Sequence, residues 1–257
     1  MKKNFFQIDP AWRALCRAHG LDSFEALWSA ELSLVDEPNR ARGGWSEVGV
    51  LALTHGSGSQ QFYVKRQENF NCRTVAHPLR GIPVALREWQ TIRTLAQKGI
   101  ATLEVALCGR QCRSDDRGIL MTLGLVDYMP MDEWLLACAE PDKATSRQQG
   151  LLALGRQVGR LHSAGMKHGC LYPKHVYFSI ADPRELRLID LEKCKRISSR
   201  HAGLRDLDTL IRHTPVLTGD DRQQIYAGYL ETCPHAWTPQ ALQDAVAARV
   251  RAKKAAR

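Results

Sequence analysis

Lys65 closes the apolar run Phe62-Tyr63-Val64, and a lysine in that position either snorkels at a strand edge or offers its ammonium to an anion. A carboxylate further along bears on the choice. In Arg87-Glu88-Trp89-Gln90-Thr91-Ile92, Glu88 shares a helical face with Ile92 and Leu95, the i, i+4, i+7 positions that should face a core. A carboxylate on a buried face needs a cationic partner, and Lys65 on the preceding strand is a natural one. A lysine held in this way presents a fixed positive charge to phosphate oxygens. A second polar group, Lys167-His168-Gly169-Cys170-Leu171-Tyr172-Pro173-Lys174-His175, forms one continuous loop, and Leu186-Arg187-Leu188-Ile189-Asp190-Leu191-Glu192 follows it. Asp190 ends an apolar strand just beyond the loop. It is placed either to hold a cation that bridges phosphates or to serve as a strand-end turn residue. Glu192 lies two residues on, so in an extended segment it points the same way as Asp190, toward a metal or an acceptor hydroxyl. The alternative is a solvent-facing Glu beside Lys193.

Several elements must position these groups. The sequence predicts two helical pieces over residues 9 to 32, split at Gly20, with Asp22 or Ser23 as a cap. The Gly-bearing turn Arg42-Gly43-Gly44-Trp45-Ser46 comes next. Strands at 48 to 53 and 61 to 65 are joined by the hairpin connection His55-Gly56-Ser57-Gly58-Ser59. A helix over 83 to 98 opens at Pro83 and closes at Gly99, and short strands follow near 103 to 108 and 118 to 124. Leu151, Leu154, Val158 and Leu161 then mark a strongly amphipathic helix that ends at Gly165. Short strands at 176 to 179 and 186 to 190 interrupt the helical half, which resumes near 203 with breaks at Pro215, Gly219 and Pro234. Strand-rich first and helix-rich second, the chain reads as α+β with two lobes.

Composition narrows the classes. With 257 residues, 44% hydrophobic and 25% charged, the chain has globular proportions, which argues against disorder, collagen and coiled-coil arrays. No run approaches the ~18 apolar residues of a membrane span, and the opening Met1-Lys2-Lys3-Asn4-Phe5-Phe6 does not read as a signal peptide, so a cytoplasmic protein is expected. The eight cysteines include no C-x-x-C spacing, and nothing near Cys108-x-x-x-Cys112 completes a zinc site; reduced thiols are expected. The net charge of +9 is concentrated, because residues 193 to 213 and 241 to 257 each carry +4. Such a surface attracts phosphorylated ligands, nucleic acid or an anionic membrane face, although the tail alone reads equally as a solvated, frayed helix. Without a zinc finger, an aromatic stacking motif or a basic region, nucleic acid is an unpromising partner.

The chain resembles the lipopolysaccharide core kinases of the Kdo/WaaP type, specifically their InaA branch, which share the protein-kinase fold. The resemblance rests on Val64-Lys65-Arg66-Gln67-Glu68-Asn69, His77-Pro78, Gly81-Ile82-Pro83, Arg87-Glu88-Trp89 and Gly99-Ile100-Ala101-Thr102-Leu103. It continues through His168 to His175, Leu188-Ile189-Asp190-Leu191-Glu192-Lys193 and Arg205-Asp206-Leu207, and covers roughly residues 40 to 230.

The resemblance implies a two-lobed protein-kinase-like fold with a small antiparallel-sheet N-lobe and a helical C-lobe. An N-terminal helical extension would occupy 1–40, a nucleotide-gripping sheet and helix 41–126, and the helical lobe with catalytic and metal-binding loops and a basic tail 127–257. It also implies ATP and Mg²⁺ as cofactors. Lys65 would bind the ATP phosphates and pair with Glu88, and the Gly43-Gly44 turn would cover the nucleotide without the full G-x-G-x-x-G. Asp190 and His175 would hold the metal, and Asp206 would brace the catalytic loop that begins at His168. One departure stands out: Cys170 occupies the place of the catalytic Asp. A thiol with an ordinary pKa of ~8.5 is mostly neutral at pH 7, and losing a general base typically removes ~10²- to 10⁴-fold in rate. Cys170, His168 and Glu192 are therefore the candidate catalytic groups. The activity implied is ATP-dependent phosphorylation of a sugar of the lipopolysaccharide inner core. The acceptor would be that core or another anionic glycolipid, met through peripheral contact with the inner face of the inner membrane. The alternative is a nucleotide-binding pseudokinase or envelope-stress scaffold without phosphotransfer.

Overall fold

The structure is a computed structural model that describes residues 4–197, 199–233 and 237–255. The Met1-Lys2-Lys3 start, the break expected at Pro234 and the Ala256-Arg257 end of the basic tail lie outside those residues. The chain divides into two compact units, Met1–Thr94 with Leu103–Val126 and Leu95–Thr102 with Asp127–Arg257.

In the first unit, β1 (Phe5–Ile8) leads through a short turn at Pro10–Trp12 into α1 (Arg13–Ala18). Gly20, at φ 67°, reverses the chain before α2 (Phe24–Ser29), whose Ser23 hydroxyl accepts the Ala26 N–H as a cap. There follow β2 (Ser33–Leu34), β3 (Asn39–Ala41), β4 (Gly44–His55), β5 (Gly58–Glu68), β6 (Asn71–Thr74), β7 (His77–Pro83), α3 (Val84–Ala96), β8 (Val105–Cys112) and β9 (Asp116–Leu123). Among the described residues the main sheet is antiparallel in the order β1-β8-β9-β5-β4-β2, with β3 also paired to β4. Register and pleat decide what each face does. Val64 lies opposite Met121, and Arg66 opposite Ile119. Phe62, Val64, Ile119 and Met121 thus share a face, and they pack with Cys16, Phe24, Leu27 and Leu107 as the core. Residues 4–34 belong to this core through β1, α1 and α2. The next residue along β5, Lys65, must point to the other face.

The second unit contains β10 (Tyr128–Pro130), α4 (Met131–Ala137), α5 (Ala144–Ser163), β11 (Met166–Lys167), β12 (Val176–Ser179), β13 (Leu186–Leu188), β14 (Lys195–Arg196), α6 (Arg200–Arg212), α7 (Gly219–Thr232) and α8 (Pro239–Ala255). Leu151, Leu154, Val158 and Leu161 of α5 are fully buried, as their spacing predicts. The helix meets α7 at backbone distance. A methyl group at Gly155 would lie 2.1 Å from the Ile225 carbonyl oxygen, and one at Gly228 would lie 2.0 Å from that of Leu152. Strands β10-β12-β13 form a small antiparallel sheet, and β11 pairs with β14. The tail helix α8 is anchored at its start, where Leu242 and Val246 are fully buried, whereas Arg251, Ala252, Lys253 and Ala255 at its end are exposed. An antiparallel sheet with one helix on its second face and a separate helical unit carrying short strands make the architecture α+β. Among the described residues no helix is long and apolar enough to cross a membrane.

Candidate active site

Lys65 Nζ and Glu88 Oε2 lie 2.5 Å apart, a charge-assisted hydrogen bond between β5 and α3. Glu88 is only 3% exposed, so the face expected to be buried is buried. The helix is registered on the strand by a second bond two residues along β5. The Gln67 side-chain carbonyl accepts the Ala85 N–H at 2.7 Å, satisfying an amide in the first turn of α3 that has no partner within the helix. One strand therefore supplies both the lysine and the anchor of the helix that carries its partner. Arg42 and Gly43, at φ 59° and 82°, form the tight turn between β3 and β4. Gly44 is the first residue of β4 rather than part of the turn. A side chain there would meet the Glu68 carbonyl oxygen at 2.0 Å, so close strand approach already accounts for this glycine.

In the second unit one carboxylate organises the polar loop. Asp206, on α6 and fully buried, accepts the backbone N–H groups of His168 at 2.6 Å and Gly169 at 2.8 Å. His162 Nε2 lies 3.2 Å from the same carboxylate, and Tyr229 hydrogen-bonds the other ring nitrogen at 3.0 Å. Burial alone would push the Asp206 carboxyl up. The bond and charge of His162, the Gly169 amide and the charge of His168 outweigh it and hold the carboxyl below its ordinary range. His168 donates its Nε2–H to the Ile189 carbonyl at 2.9 Å, which leaves a lone pair on Nδ1. Burial pulls its pKa down, so the ring is neutral at pH 7.

The Ile189 carbonyl held by His168 sits directly before Asp190. Asp190 adopts the left-handed conformation (φ 56°, ψ 57°), and the chain passes straight into a tight turn over Leu191–Lys193. This corrects the premise for Glu192: the segment is not extended, so strand alternation does not aim Glu192 alongside Asp190. Glu192 remains near enough for its charge to raise the Cys170 thiol. The expected strand likewise stops at Leu188, because left-handed backbone cannot continue a strand.

Asp190 Oδ2 lies 3.4 Å from His175 Nε2 and 3.6 Å from Cys170 Sγ. His175 commits Nδ1–H to the Cys170 carbonyl at 2.8 Å, leaving its Nε2 lone pair beside the carboxylate. An imidazole lone pair and a carboxylate oxygen side by side suit a divalent cation, since cis ligands of a magnesium-sized ion stand about 3 Å apart. Cys170 is 5% exposed. Burial first, then the charge of Asp190, push its thiol up to about 12, so it is a neutral donor and no base at pH 7.

Of the expected site residues, the structure brings Lys65 to Glu88 in one unit, and His168, Cys170, His175 and Asp190 together in the other. The sequence reading missed His162 and Tyr229. The available signal was a histidine beside Leu161 on the buried side of α5, but its partners come from two other helices.

A family model for the lipopolysaccharide kinase (Kdo/WaaP) family matches residues 25–229. The chain is 27% identical over 212 residues to Protein InaA of Escherichia coli (strain K12), covering 81% of this chain and 95% of InaA. Among solved structures it is similar to WaaP in complex with acyl carrier protein, with a TM-score of 0.67 and 20% identity over 97% of both chains, which shows a common fold. With a single family match running across both compact units, the chain belongs to the lipopolysaccharide kinase (Kdo/WaaP) family.

Proposed function

We propose that the protein is an ATP- and Mg²⁺-dependent kinase that phosphorylates a sugar hydroxyl of the lipopolysaccharide inner core. It would work from the cytoplasm in peripheral contact with the inner membrane. The observation that carries this reading is the 2.5 Å bond between Lys65 and the buried Glu88, which supports a fixed ammonium for phosphate oxygens. In this reading residues 41–126 grip the nucleotide, residues 127–257 supply the loops and the basic tail, and residues 1–40 are an extension that packs into the core of the first unit.

ATP with its Mg²⁺, when bound, supplies the phosphoryl group and neutralises its charge. The residues of this chain position and hold. Lys65 would donate to phosphate oxygens while Glu88 fixes its direction, and the Gly43-Gly44 turn would cover the nucleotide. Asp190 and His175 would ligate the cation. His168 holds the backbone just before Asp190, and Asp206 pins the loop that carries His168 and Cys170. The Cys170 thiol donates a hydrogen bond and takes no proton. Transfer through a loose transition state tolerates a missing base, at a slow rate. The exposed Lys193, Lys195, Arg196 and Arg205 follow the metal-binding segment and suit an anionic glycolipid acceptor.

Cys170 also favours a second reading, a nucleotide-binding pseudokinase or envelope-stress scaffold. Mass spectrometry of core oligosaccharide from cells with and without the gene tests the first, with one phosphate expected to disappear. Purified protein should be stabilised by ATP with Mg²⁺ by several degrees at saturation. Cys170→Asp should raise transfer to core oligosaccharide about 10²-fold or more. If ATP binds and neither form transfers phosphate to any envelope sugar, the enzyme reading falls and the scaffold reading stands.

A further inference from the structure

Cys170 places a sulfur at a point where two imidazole nitrogens already stand. One ligand atom each from His168, Cys170 and His175 lie within 4.8 Å of one another. Cys170 Sγ is 3.8 Å from His168 Nδ1 and 3.6 Å from Asp190 Oδ2, and Asp190 Oδ2 is 3.4 Å from His175 Nε2. We propose that His168, Cys170 and His175 hold a thiophilic transition-metal dication of the zinc class, in a four-coordinate site whose last position is left to a water beside the Asp190 carboxylate.

The 3.8 Å between Cys170 Sγ and His168 Nδ1 lies close to one edge of a zinc tetrahedron, and His175 stands within 4.8 Å of both. Bonds from zinc of about 2.0–2.1 Å to nitrogen or oxygen and about 2.3 Å to sulfur put nitrogen–oxygen edges near 3.3–3.4 Å. The same bond lengths put edges to sulfur at about 3.5–3.6 Å. Orientation of the rings supports the same assignment. Each histidine donates its remote N–H to a main-chain carbonyl, His168 to Ile189 at 2.9 Å and His175 to Cys170 at 2.8 Å, which fixes both tautomers with a lone pair available. Carbonyl-anchored imidazoles of this kind are the usual outer support of a metal site. The sulfur decides the class of ion. Magnesium takes oxygen ligands, whereas zinc and cobalt bind thiolate, imidazole and carboxylate together. On binding, the Cys170 S–H bond breaks, its proton passes to solvent, and the thiolate with the Asp190 carboxylate balances the two charges of the ion. No metal motif is visible in the sequence, because His168-x-Cys170 and His175 are joined by Asp190 only through the fold.

The test uses the full chain without an affinity tag and Co²⁺ as the probe. One equivalent of Co²⁺ should produce a thiolate charge-transfer band in the near ultraviolet and the intense visible bands of four-coordinate cobalt, with release of one proton. Zn²⁺ should displace it. Cys170→Ser should abolish the ultraviolet band and weaken Zn²⁺ binding at least ~100-fold. Should that variant fail to fold, the zinc X-ray absorption edge of the wild-type chain reads the ligand set directly, with one sulfur and three nitrogen or oxygen neighbours expected. Absence of the band, its survival in Cys170→Ser, or an edge with no sulfur or with several overturns the site. Zn²⁺ bound here would occupy His175 beside Asp190 and so compete with Mg²⁺–ATP. That consequence alone rests on the kinase reading. A chain that shows the cobalt band and no ATP binding keeps the metal site and loses the kinase.

Discussion

The two units hold their polar groups by opposite means. In the first, one side chain holds another, with Lys65 on a strand bonded to Glu88 on a helix, both on regular backbone. In the second, side chains hold the main chain: Asp206 grips two amides, and His168 and His175 each grip a carbonyl. An ion pair between regular elements fixes one charge. A loop gripped by its backbone fixes several donors at once, and its weak point is the gripping residue rather than the donors.

Six substitutions and one titration sharpen or break that contrast, beginning with the largest effect. Asp206→Ala strips two loop amides of their acceptor and should cost about 4 kcal/mol, lowering Tm by roughly 8–16 °C in calorimetry. If the loss is under a degree, the loop is not held from below. Lys65→Met removes the ammonium that pairs with a nearly buried carboxylate and should destabilise by about 3 kcal/mol. Glu88→Gln should cost only about 1 kcal/mol, since the better-exposed lysine can turn toward water; denaturant unfolding of the two variants reads the asymmetry. Gly155→Ala, which drives a methyl group into the Ile225 carbonyl, should lose about 2 kcal/mol while leaving any nucleotide affinity of the first unit unchanged.

Next comes a pH dependence. Burial lowers the His168 pKa, so between the ordinary value of ~6.5 and the lower folded value the unfolded chain binds more protons. Stability is therefore intact above about pH 6.5 and declines as pH falls through that window. The depressed Asp206 carboxyl adds a separate loss at lower pH, below its ordinary ~3.9. His168→Gln should erase the first decline and keep the second. The last effect has the opposite sign. Asp190→Gly relieves a left-handed non-glycine residue and should raise stability by about 1 kcal/mol while removing the carboxylate from both proposed cation sites.

Legibility in the sequence followed the same division. The Lys65–Glu88 contact was readable because strand and helix periodicity each put the charged residue on a definite face. The α5 core was readable for the same reason. The family resemblance supplied the role of Asp206, which no local pattern gives, since its partners lie 37 and 38 residues away. Strands β6 and β7 went unread because Asn71–Thr74 and His77–Pro83 carry Pro, Gly and charge in place of alternation. Of the two readings left open for Glu192, the one that required an extended segment lost its premise, because a positive φ at Asp190 is invisible in residue type. The strand was expected to run on, and the backbone turned instead.

The glycine contacts between α5 and α7 carry a consequence for how the second unit breathes. With carbonyls of each helix seated where a side chain of the other would be, neither can separate without exposing both. Amide deuteration of the two should then follow one shared opening event, in which His162 lets go of Tyr229 and the floor beneath the loop goes with it.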